Sequence, residues 1–366
     1  MSKVTGIFQQ PSNKAGFLRN PKNSLRPSPA DISVPPSLVK EHNLVNGARV
    51  TGTTAPVKDR QILATIESIC GVSPHAYKSR TPYQQLTAID PCARFHLDVS
   101  NQFTMRAIDL IAPIGRGTRA LIVSPPKAGK TTILENIAKA VYADAPETRI
   151  IALLIDERPE EVTMFRRSVP AEVLASSSDQ SVAEHVELAE LALAHIRAEL
   201  ECGQNVVVLV DSLTRMGRAF NLKGTGRGRT MSGGVEVGAL EFPRRFFGLA
   251  RKIEDGGSVT IIATALIDTG SRMDDLIFEE FKGTGNCEIV LDRNLANSYI
   301  FPAIDITRSG TRKEACLYTP DENARLVQLR RLFADQDAKT AMQYMIRLLE
   351  KFPSNQEILQ SIPLGG

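Results

Sequence analysis

Residues 124–132 read Ser-Pro-Pro-Lys-Ala-Gly-Lys-Thr-Thr and separate a short apolar run from a stretch with helical periodicity. The run before them, Ala120-Leu-Ile-Val123, is rich in residues that favour strands. The stretch after them, from Ile133 to Ala140, repeats apolar residues at helical spacing. The nine residues therefore lie at a turn from a strand into a helix. Such a turn presents converging backbone N–H groups to an anion and is typical of phosphate-binding loops.

The residue types in this loop suit a nucleoside triphosphate. Gly129 permits close approach of the backbone, Lys130 provides an ammonium group, and the hydroxyl of Thr131 can hold Mg²⁺. Ser124 stands where the motif usually has its first glycine. A chance loop is the alternative, but the flanking strand and helix favour nucleotide binding.

Length and composition limit the class of protein. The chain has 366 residues, of which 42% are hydrophobic, so it can form two domains with sizeable cores. No apolar run approaches the ~20 residues that cross a bilayer, and the N-terminus lacks the apolar stretch of a signal peptide. The five scattered cysteines show no metal-ligand spacing and are interpreted as reduced thiols. These features predict a cytoplasmic protein. The net charge of +3 is too small to indicate nucleic-acid binding by itself.

The first 75 residues differ in pattern from the rest of the chain. Short β-like runs recur between turn residues, at 3–8, 15–19, 31–34, 47–52 and 61–69. Five strands in so short a length predict a small all-β barrel of the OB or cold-shock type, a common nucleic-acid-binding module. A barrel used only for packing or subunit contacts is the alternative. We place this domain at residues 1–75 and a linker at residues 76–102.

From residue 103 to residue 366, strands alternate with helical segments, which predicts an α/β domain with a parallel sheet and a helical C-terminal part. Asp211 ends the apolar run that begins at Asn205, so it lies at the carboxyl end of a buried strand, where ligands of such sheets bind. It is interpreted as the acid associated with Mg²⁺, and capping of the next turn is the alternative. Glu157 follows a second strand and could orient and deprotonate an attacking water.

Several loops are too rich in glycine and basic residues to be simple connections. They span residues 222–234, 268–273 and 281–286. Flexible loops with Arg, Lys and hydroxyl groups can grip a phosphate backbone, whereas ordinary surface turns are the alternative. Another loop carries Arg312, which could reach a neighbouring subunit's nucleotide as an arginine finger or could be solvated.

Longer motifs identify a family. They include Pro125-Pro-Lys-Ala-Gly-Lys-Thr131, Leu154-Ile-Asp-Glu-Arg-Pro-Glu-Glu-Val-Thr163, Asp211-Ser-Leu-Thr-Arg215 and Glu279-Glu-Phe-Lys-Gly-Thr-Gly-Asn286. With these motifs the chain resembles the bacterial Rho family, ring-shaped RNA-dependent ATPases and helicases of transcription termination. The match is dense over residues 110–314. Residues 3–70 are weakly similar to the family's RNA-binding barrel, through Gly16-Phe-Leu-Arg19 and Asp31-Ile-Ser-Val34.

The resemblance implies a RecA-like P-loop ATPase domain that uses ATP and Mg²⁺ and assembles into a homo-oligomeric, hexameric ring. It implies single-stranded RNA and the RNA polymerase transcription complex as partners, with no membrane. The implied nucleotide-binding residues are Pro125, Lys127, Ala128, Gly129, Lys130, Thr131, Thr132, Arg158, Arg215 and Phe301. The implied catalytic residues are Glu157, Arg312, Asp211 and Lys130, with Thr131 and Asp211 at the metal. The implied RNA-binding residues are Phe17, Arg19, Arg229, Thr230, Ser232, Gly233, Ser271 and Arg272.

The chain also departs from the family pattern. Strand-like sequence begins by Val4, so the helical subdomain that usually precedes the barrel is expected to be missing, and Ala15, Ser33 and Gln61 stand where the family has aromatic residues. Stacking is worth roughly 1–3 kcal/mol per base, so these changes predict a weakened or lost RNA-loading site. Tyr299 stands where the family usually has arginine, which affects the expected coupling between subunits.

The resemblance therefore implies a 5'-to-3' RNA translocase in transcription termination. Two alternatives stay open. One is a Rho-related ring ATPase with lost or altered RNA loading, and the other is a non-catalytic regulatory RNA-binding ring protein.

Overall fold

The structure is a computed structural model that describes residues 2–11, 15–57, 60–224, 234–236 and 238–364. Its N-terminal part is a closed barrel with strand order β1-β2-β3-β5-β4. The strands are β1 (Ser2–Gln9), β2 (Gly16–Arg19), β3 (Ile32–Val34), β4 (Arg49–Val57) and β5 (Arg60–Ile69), and helix α1 (Pro36–His42) lies between β3 and β4. Neighbouring strands are antiparallel except β3 and β5, which run parallel.

Inward-facing and outward-facing side chains alternate along the strands, and the inward-facing ones fill the barrel interior. Phe8, Leu18, Val34, Val50 and Leu63 are buried together in one apolar cluster. The sequence therefore predicted both the barrel and its five strands correctly. It missed α1, because seven residues are too few to show a helical period.

The segment after the barrel is packed against the second domain. It contains α2 (Pro74–Lys78), 3₁₀ turns at Tyr83–Gln85 and Leu97–Ser100, β6 (Ala88–Ile89) and then α3 (Phe103–Ile111). Strand β6 pairs with a strand of the large sheet. The boundaries of the linker at residues 76 and 102 stay our proposal.

The second domain is built on a large, mainly parallel sheet. Its strands are β7 (Arg119–Ser124), β8 (Arg149–Glu157), β9 (Glu172–Ser177), β10 (Asn205–Asp211), β11 (Arg251–Ile253), β12 (Ser258–Leu266), β13 (Cys287–Val290) and β14 (Gly310–Thr311). The spatial order is β14-β13-β7-β12-β10-β8-β9, and β11 joins β12 to β6. From β13 to β9 the neighbours run parallel, whereas β14 and β11 are antiparallel to their partners.

Helices cover both faces of this sheet. They are α4 (Lys130–Asp144), α5 (Pro159–Ser168), α6 (Val182–Glu201), α7 (Leu213–Gly224), α8 (Glu241–Phe247), α9 (Arg272–Lys282), α10 (Arg293–Asn297), α11 (Pro320–Phe333), α12 (Ala338–Lys351) and α13 (Asn355–Ser361). Along β7, Ile122 packs into the core on one face, whereas Leu121 and Val123 pack into the core on the other. Burial on both faces explains the unbroken apolar runs of these strands.

The barrel rests on the C-terminal half of α6. Gly47 has a φ of +89°, and a Cβ atom on it would lie only 2.2 Å from the carbonyl carbon of Ala194. The ring of His195 donates from Nδ1 to the carbonyl of Gly47 at 2.8 Å. Arg49 Nε lies 2.9 Å from Glu199 Oε1 in a second contact between the domains. Because backbone meets backbone here, the barrel is held at a defined position on the helix.

Candidate functional site

The predicted phosphate loop joins the end of β7 to the start of α4. Lys127 and Gly129 both have positive φ, at 65° and 97°. Among the described residues, and apart from Gly129 itself and its neighbours in the chain, no atom lies within 4 Å of the place that a Gly129 Cβ would take. The hydroxyl of Ser124, the residue that replaces a glycine, is buried and donates to the carbonyl of Pro125 at 2.8 Å. The loop is therefore open on its outer side, as a phosphate-binding loop requires.

Three predicted catalytic side chains converge beside this loop. Lys130 Nζ lies 2.6 Å from Asp211 Oδ2 and 3.3 Å from Glu157 Oε1. The three residues follow or end β7, β8 and β10, and parallel strands bring these ends to one edge of the sheet. Burial by itself would lower the pKa of Lys130, but Asp211 and Glu157 outweigh it and raise that pKa. The ammonium group is therefore charged.

Glu157 reaches the site through an irregularity at the end of β8. The pairing of β8 with β9 shifts between Ile155 and Glu157, and Asp156 between them has a φ of +56°. The Glu157 side chain is buried, and Arg215 Nη2 lies 3.4 Å from its Oε2. Arg215 also donates to the carbonyl of Asp156.

The environment of Glu157 changes its protonation. Burial and then the charge of Asp211 raise the pKa of Glu157 to about 7, against the opposing effect of Lys130 and Arg215. Within the described parts of the chain, its Oε2 accepts no hydrogen bond. A buried carboxylate oxygen with no donor, poised near neutral pH, is suited to accept a proton from water.

Asp211 is oriented by two hydroxyl groups. Thr264 Oγ1 donates to Asp211 Oδ1 at 2.8 Å, and Thr131 Oγ1 lies 3.4 Å from Asp211 Oδ2. Sequence reasoning identified Thr131 and missed Thr264. The available signal was a hydroxyl residue near the carboxyl end of the largely apolar strand β12, which lies next to β10.

The remaining predicted nucleotide contacts differ in exposure. Lys127, Thr132 and Arg158 are exposed, while Pro125 and Ala128 are buried within the loop. Phe301 is 55% exposed and lines a shallow pocket with Gln343 and Arg347.

Arg312 stands apart from the site of its own chain. It follows β14, where its backbone N–H donates to the carbonyl of Asn286 at 2.7 Å. Its side chain is exposed and makes no hydrogen bond or ion pair with any residue that the structure describes. The structure therefore brings together Lys130, Glu157 and Asp211 and leaves Arg312 outside that group.

The predicted RNA contacts fall into two places. Ser271 precedes α9 and Arg272 begins it, with the Arg272 side chain exposed. The other predicted central-loop contacts lie outside the described residues; they are Arg229, Thr230, Ser232 and Gly233. Contact of this edge of the molecule with RNA stays a prediction.

In the barrel, Phe17 is half-buried and its ring lies 5.3 Å from the guanidinium carbon of Arg19. Arg19 is buried, pairs with Asp31, and donates to Gln9 Oε1 at 2.7 Å. Contact of Arg19 with RNA therefore also stays a prediction. In the structure, the Arg19 side chain packs beside the ring of Phe17 and supports it. Ser33 is the residue opposite Phe17 in the neighbouring strand. A position at which the family has an aromatic residue thus lies directly beside Phe17.

No helix within the described ranges is long and apolar enough to cross a membrane.

Comparison with known proteins agrees with this architecture. The family described as "ATP synthase alpha/beta family, nucleotide-binding domain" matches residues 104–311, and "Rho termination factor, RNA-binding domain" matches residues 4–75. A solved ATPase from the type III secretion system of pathogenic bacteria has a TM-score of 0.65 at 24% identity, covering 84% of this chain and 92% of its own. That likeness shows a shared fold, and the predicted RecA-like domain with a preceding barrel is confirmed.

Full-length relatives are closer in sequence. Transcription termination factor Rho of Aquifex aeolicus is 45% identical over 98% of this chain and 84% of its own length. That of Chromobacterium violaceum is 45% identical over 95% of this chain and 85% of its own length. The chain therefore has a nucleotide-binding ATPase domain and an RNA-binding domain, and it belongs to the transcription termination factor Rho family.

Proposed function

We propose that the chain hydrolyses ATP at the subunit interfaces of a hexameric ring and thereby moves single-stranded RNA through the ring in the 5'-to-3' direction. The observation that carries this proposal is the convergence of Lys130, Glu157 and Asp211 beside an open phosphate loop. Its cellular task would be transcription termination, as the names of its relatives suggest, and we place that task in the cytoplasm on the RNA polymerase transcription complex.

The residues present fit MgATP. Thr131 and Asp211 would hold Mg²⁺, which neutralises charge on the β- and γ-phosphates when it is bound. Lys130, which pairs with the two carboxylates, would exchange that pairing for the phosphates. Such an exchange leaves Asp211 free for the metal and Glu157 free for water.

Glu157 would orient the attacking water and accept its proton. Its Oε2, which is ion-paired with Arg215 Nη2 at 3.4 Å but accepts no hydrogen bond from the described residues, supplies the acceptor, and the raised pKa of Glu157 supplies the basicity that the transfer needs near neutral pH. Arg215 and the backbone at Asp156 would keep the carboxylate in place, since Arg215 contacts both. Phe301 would pack against the adenine of the nucleotide, and the exposure of its ring supports this role.

Arg312 would act on the nucleotide of the neighbouring subunit. Its exposed side chain, outside the group formed by Lys130, Glu157 and Asp211, supports action between subunits. An arginine finger is worth on the order of 10³ to 10⁵ in rate, so Arg312→Ala should bind ATP and lose turnover. Arg308→Ala, which removes an exposed cation from the same loop, is the matched control.

Mixed rings test whether Arg312 acts between subunits. Glu157→Gln and Arg312→Ala subunits, each inactive alone, should regain RNA-stimulated ATP hydrolysis when they are mixed. Recovery is expected because some interfaces then combine an intact Glu157 with an intact Arg312. Absence of recovery in rings that demonstrably contain both subunits would contradict action across the interface.

A Rho-related ring ATPase with altered RNA loading is the second candidate. It is favoured by the position of Ser33 beside Phe17, because the stacking face has lost an aromatic neighbour there. Titration with cytidine-rich RNA, read both as binding and as stimulated ATP hydrolysis, separates the two candidates. Tight binding with strong stimulation favours an intact loading site, whereas ATP hydrolysis that no RNA stimulates favours the second candidate.

A further inference from the structure

Two exposed cysteines lie beside the loop that carries Arg312. Cys92 belongs to the segment between β6 and the 3₁₀ turn Leu97–Ser100, and Cys316 belongs to the 3₁₀ turn Glu314–Leu317. The two residues are far apart in sequence. In the fold, residues next to the two cysteines are in contact, and the Cys316 thiol is one of the groups that raise the pKa of Cys92.

Contacts on both sides of this pair hold the two segments together. Lys313 Nζ lies 2.7 Å from Asp90 Oδ2, which links the two segments directly. A Cβ atom on Gly115 would lie 3.2 Å from Pro91 Cβ and 2.8 Å from Leu317 Cδ2. Residues next to each cysteine therefore converge on Gly115, and this packing brings Cys92 and Cys316 to the same part of the surface.

The other three cysteines are less exposed, although Cys70 and Cys202 are also neighbours. Cys70 and Cys287 are buried and Cys202 is half-buried, so Cys92 and Cys316 are the two exposed thiols of the chain. Partial desolvation and the neighbouring Cys316 raise the pKa of Cys92, whereas Lys313 opposes this rise. Thiol exchange at this pair should therefore be faster at alkaline pH, since the thiolate is the nucleophile.

We propose that Cys92 and Cys316 form a reversible intrachain disulfide that ties the Arg312 loop to the segment of residues 88–92. A small-molecule disulfide is the oxidant. One protein thiolate attacks it and releases one small thiol, and the second protein thiolate then attacks the protein sulfur of the mixed disulfide and releases another. The two cysteines lose two protons and two electrons, which the oxidant receives as two thiols. An exposed bond of this kind is open to reduction, which suits a reducing compartment.

The expected effect of the disulfide on turnover rests on the proposed function. Arg312 lies close to Cys316 in the chain and must approach the neighbouring subunit's nucleotide during hydrolysis. A covalent link to the segment before the ATPase domain would restrict that approach. Nucleotide binding should persist, because Lys130 and Asp211 are on other elements and are not affected by the link.

The experiment treats the full chain with oxidised glutathione at pH 8 and reads the product by mass spectrometry and ATP hydrolysis. We expect a loss of two hydrogens, a proteolytic fragment that joins Cys92 to Cys316, and a fall of ~10-fold or more in RNA-stimulated turnover that dithiothreitol reverses. Cys202→Ser should behave as the natural chain does. Cys316→Ser should form no such link and should keep its turnover in the oxidant.

Two kinds of result would overturn the proposal. The disulfide is wrong if the oxidised chain carries only stable glutathione adducts or links between chains. Its control of Arg312 is wrong if the linked chain turns over as fast as the reduced chain. Failure of the reduced chain to hydrolyse ATP would refute the proposed function instead, and the mass measurement would still decide the disulfide.

Discussion

Replacement of Glu157 by glutamine should lower the rate of ATP hydrolysis and, at alkaline pH, raise the stability of the fold. Glutamine has nearly the same shape and cannot accept the proton of water. General-base catalysis contributes typically ~10²–10⁴ in rate, so turnover of Glu157→Gln should fall by about that factor. ATP binding should be retained, since Lys130, Thr131 and Asp211 are unchanged and a negative charge near the phosphates has been removed.

The pKa of Glu157 also sets the pH dependence of the natural chain. With a pKa of about 7, the carboxylate is mostly ionised at pH 8. Only about a tenth of it is ionised at pH 6, so kcat/KM should fall tenfold per pH unit on the acid side. The small residual activity of Glu157→Gln should lack this acid limb. ATP hydrolysis measured from pH 5.5 to pH 8.5 gives both profiles.

The same shift predicts an effect on stability. A carboxyl group whose pKa is higher in the folded chain than in the unfolded chain destabilises the fold as pH rises, because the folded state binds the proton more tightly. The cost begins near the unfolded pKa of about 4.3 and is complete above pH 7, where it reaches about 4 kcal/mol. Glu157→Gln should therefore be more stable than the natural chain at pH 8, and this advantage should disappear near pH 4.

Unfolding by urea at the two pH values measures this difference, and Glu160→Gln is a matched control because Glu160 is an exposed carboxylate at the start of α5. A Glu157→Gln variant with undiminished turnover would reject Glu157 as the base. A variant less stable than the natural chain at pH 8 would show that the argument from its raised pKa is wrong.

Three further substitutions test the packing and the barrel. Arg106→Leu should lower the free energy of unfolding by ~3 kcal/mol or more, measured in urea, because the buried guanidinium donates to the carbonyls of Leu349 at 2.9 Å and Phe352 at 2.6 Å. Gly47→Ala should loosen the barrel from α6, detected as faster proteolysis between the domains, because its Cβ would overlap the backbone of Ala194. Phe17→Ala should weaken binding of cytidine-rich RNA by roughly 5- to 150-fold in a titration, the loss that one stacked base predicts, and an unchanged affinity would remove Phe17 from the RNA site.

Local patterns in the sequence were sufficient for most of the elements. The amphipathic periodicity of residues 182–201 indicates a helix and the apolar run of residues 205–211 a strand, and these match α6 and β10. Both are long and begin or end at clear signals, such as the Ser181 capping box at the start of α6. The short helix α1 was missed for the opposite reason, since its apolar residues do not complete two turns.

Part of the candidate site could be predicted in the same way. Lys130, Glu157 and Asp211 each follow or end an apolar strand, and a parallel sheet places such ends at one edge. The sequence did not show that Thr264 would hold Asp211, because that bond depends on which strands become neighbours. The hydrophobic pattern of the sequence also did not predict the positive φ of Asp156, which directs the Glu157 side chain into the site.

The sequence alone determined the barrel, the alternating strands and helices, and the phosphate loop from Ser124 to Thr132, because each depends on residues close together in the chain. The tertiary structure decided which distant residues meet: Gly47 with α6, Ser33 with Phe17, and Asp90 with Lys313 beside the two exposed cysteines. Those pairs depend on the relative placement of whole elements, and that placement follows from burial of apolar faces across the entire chain.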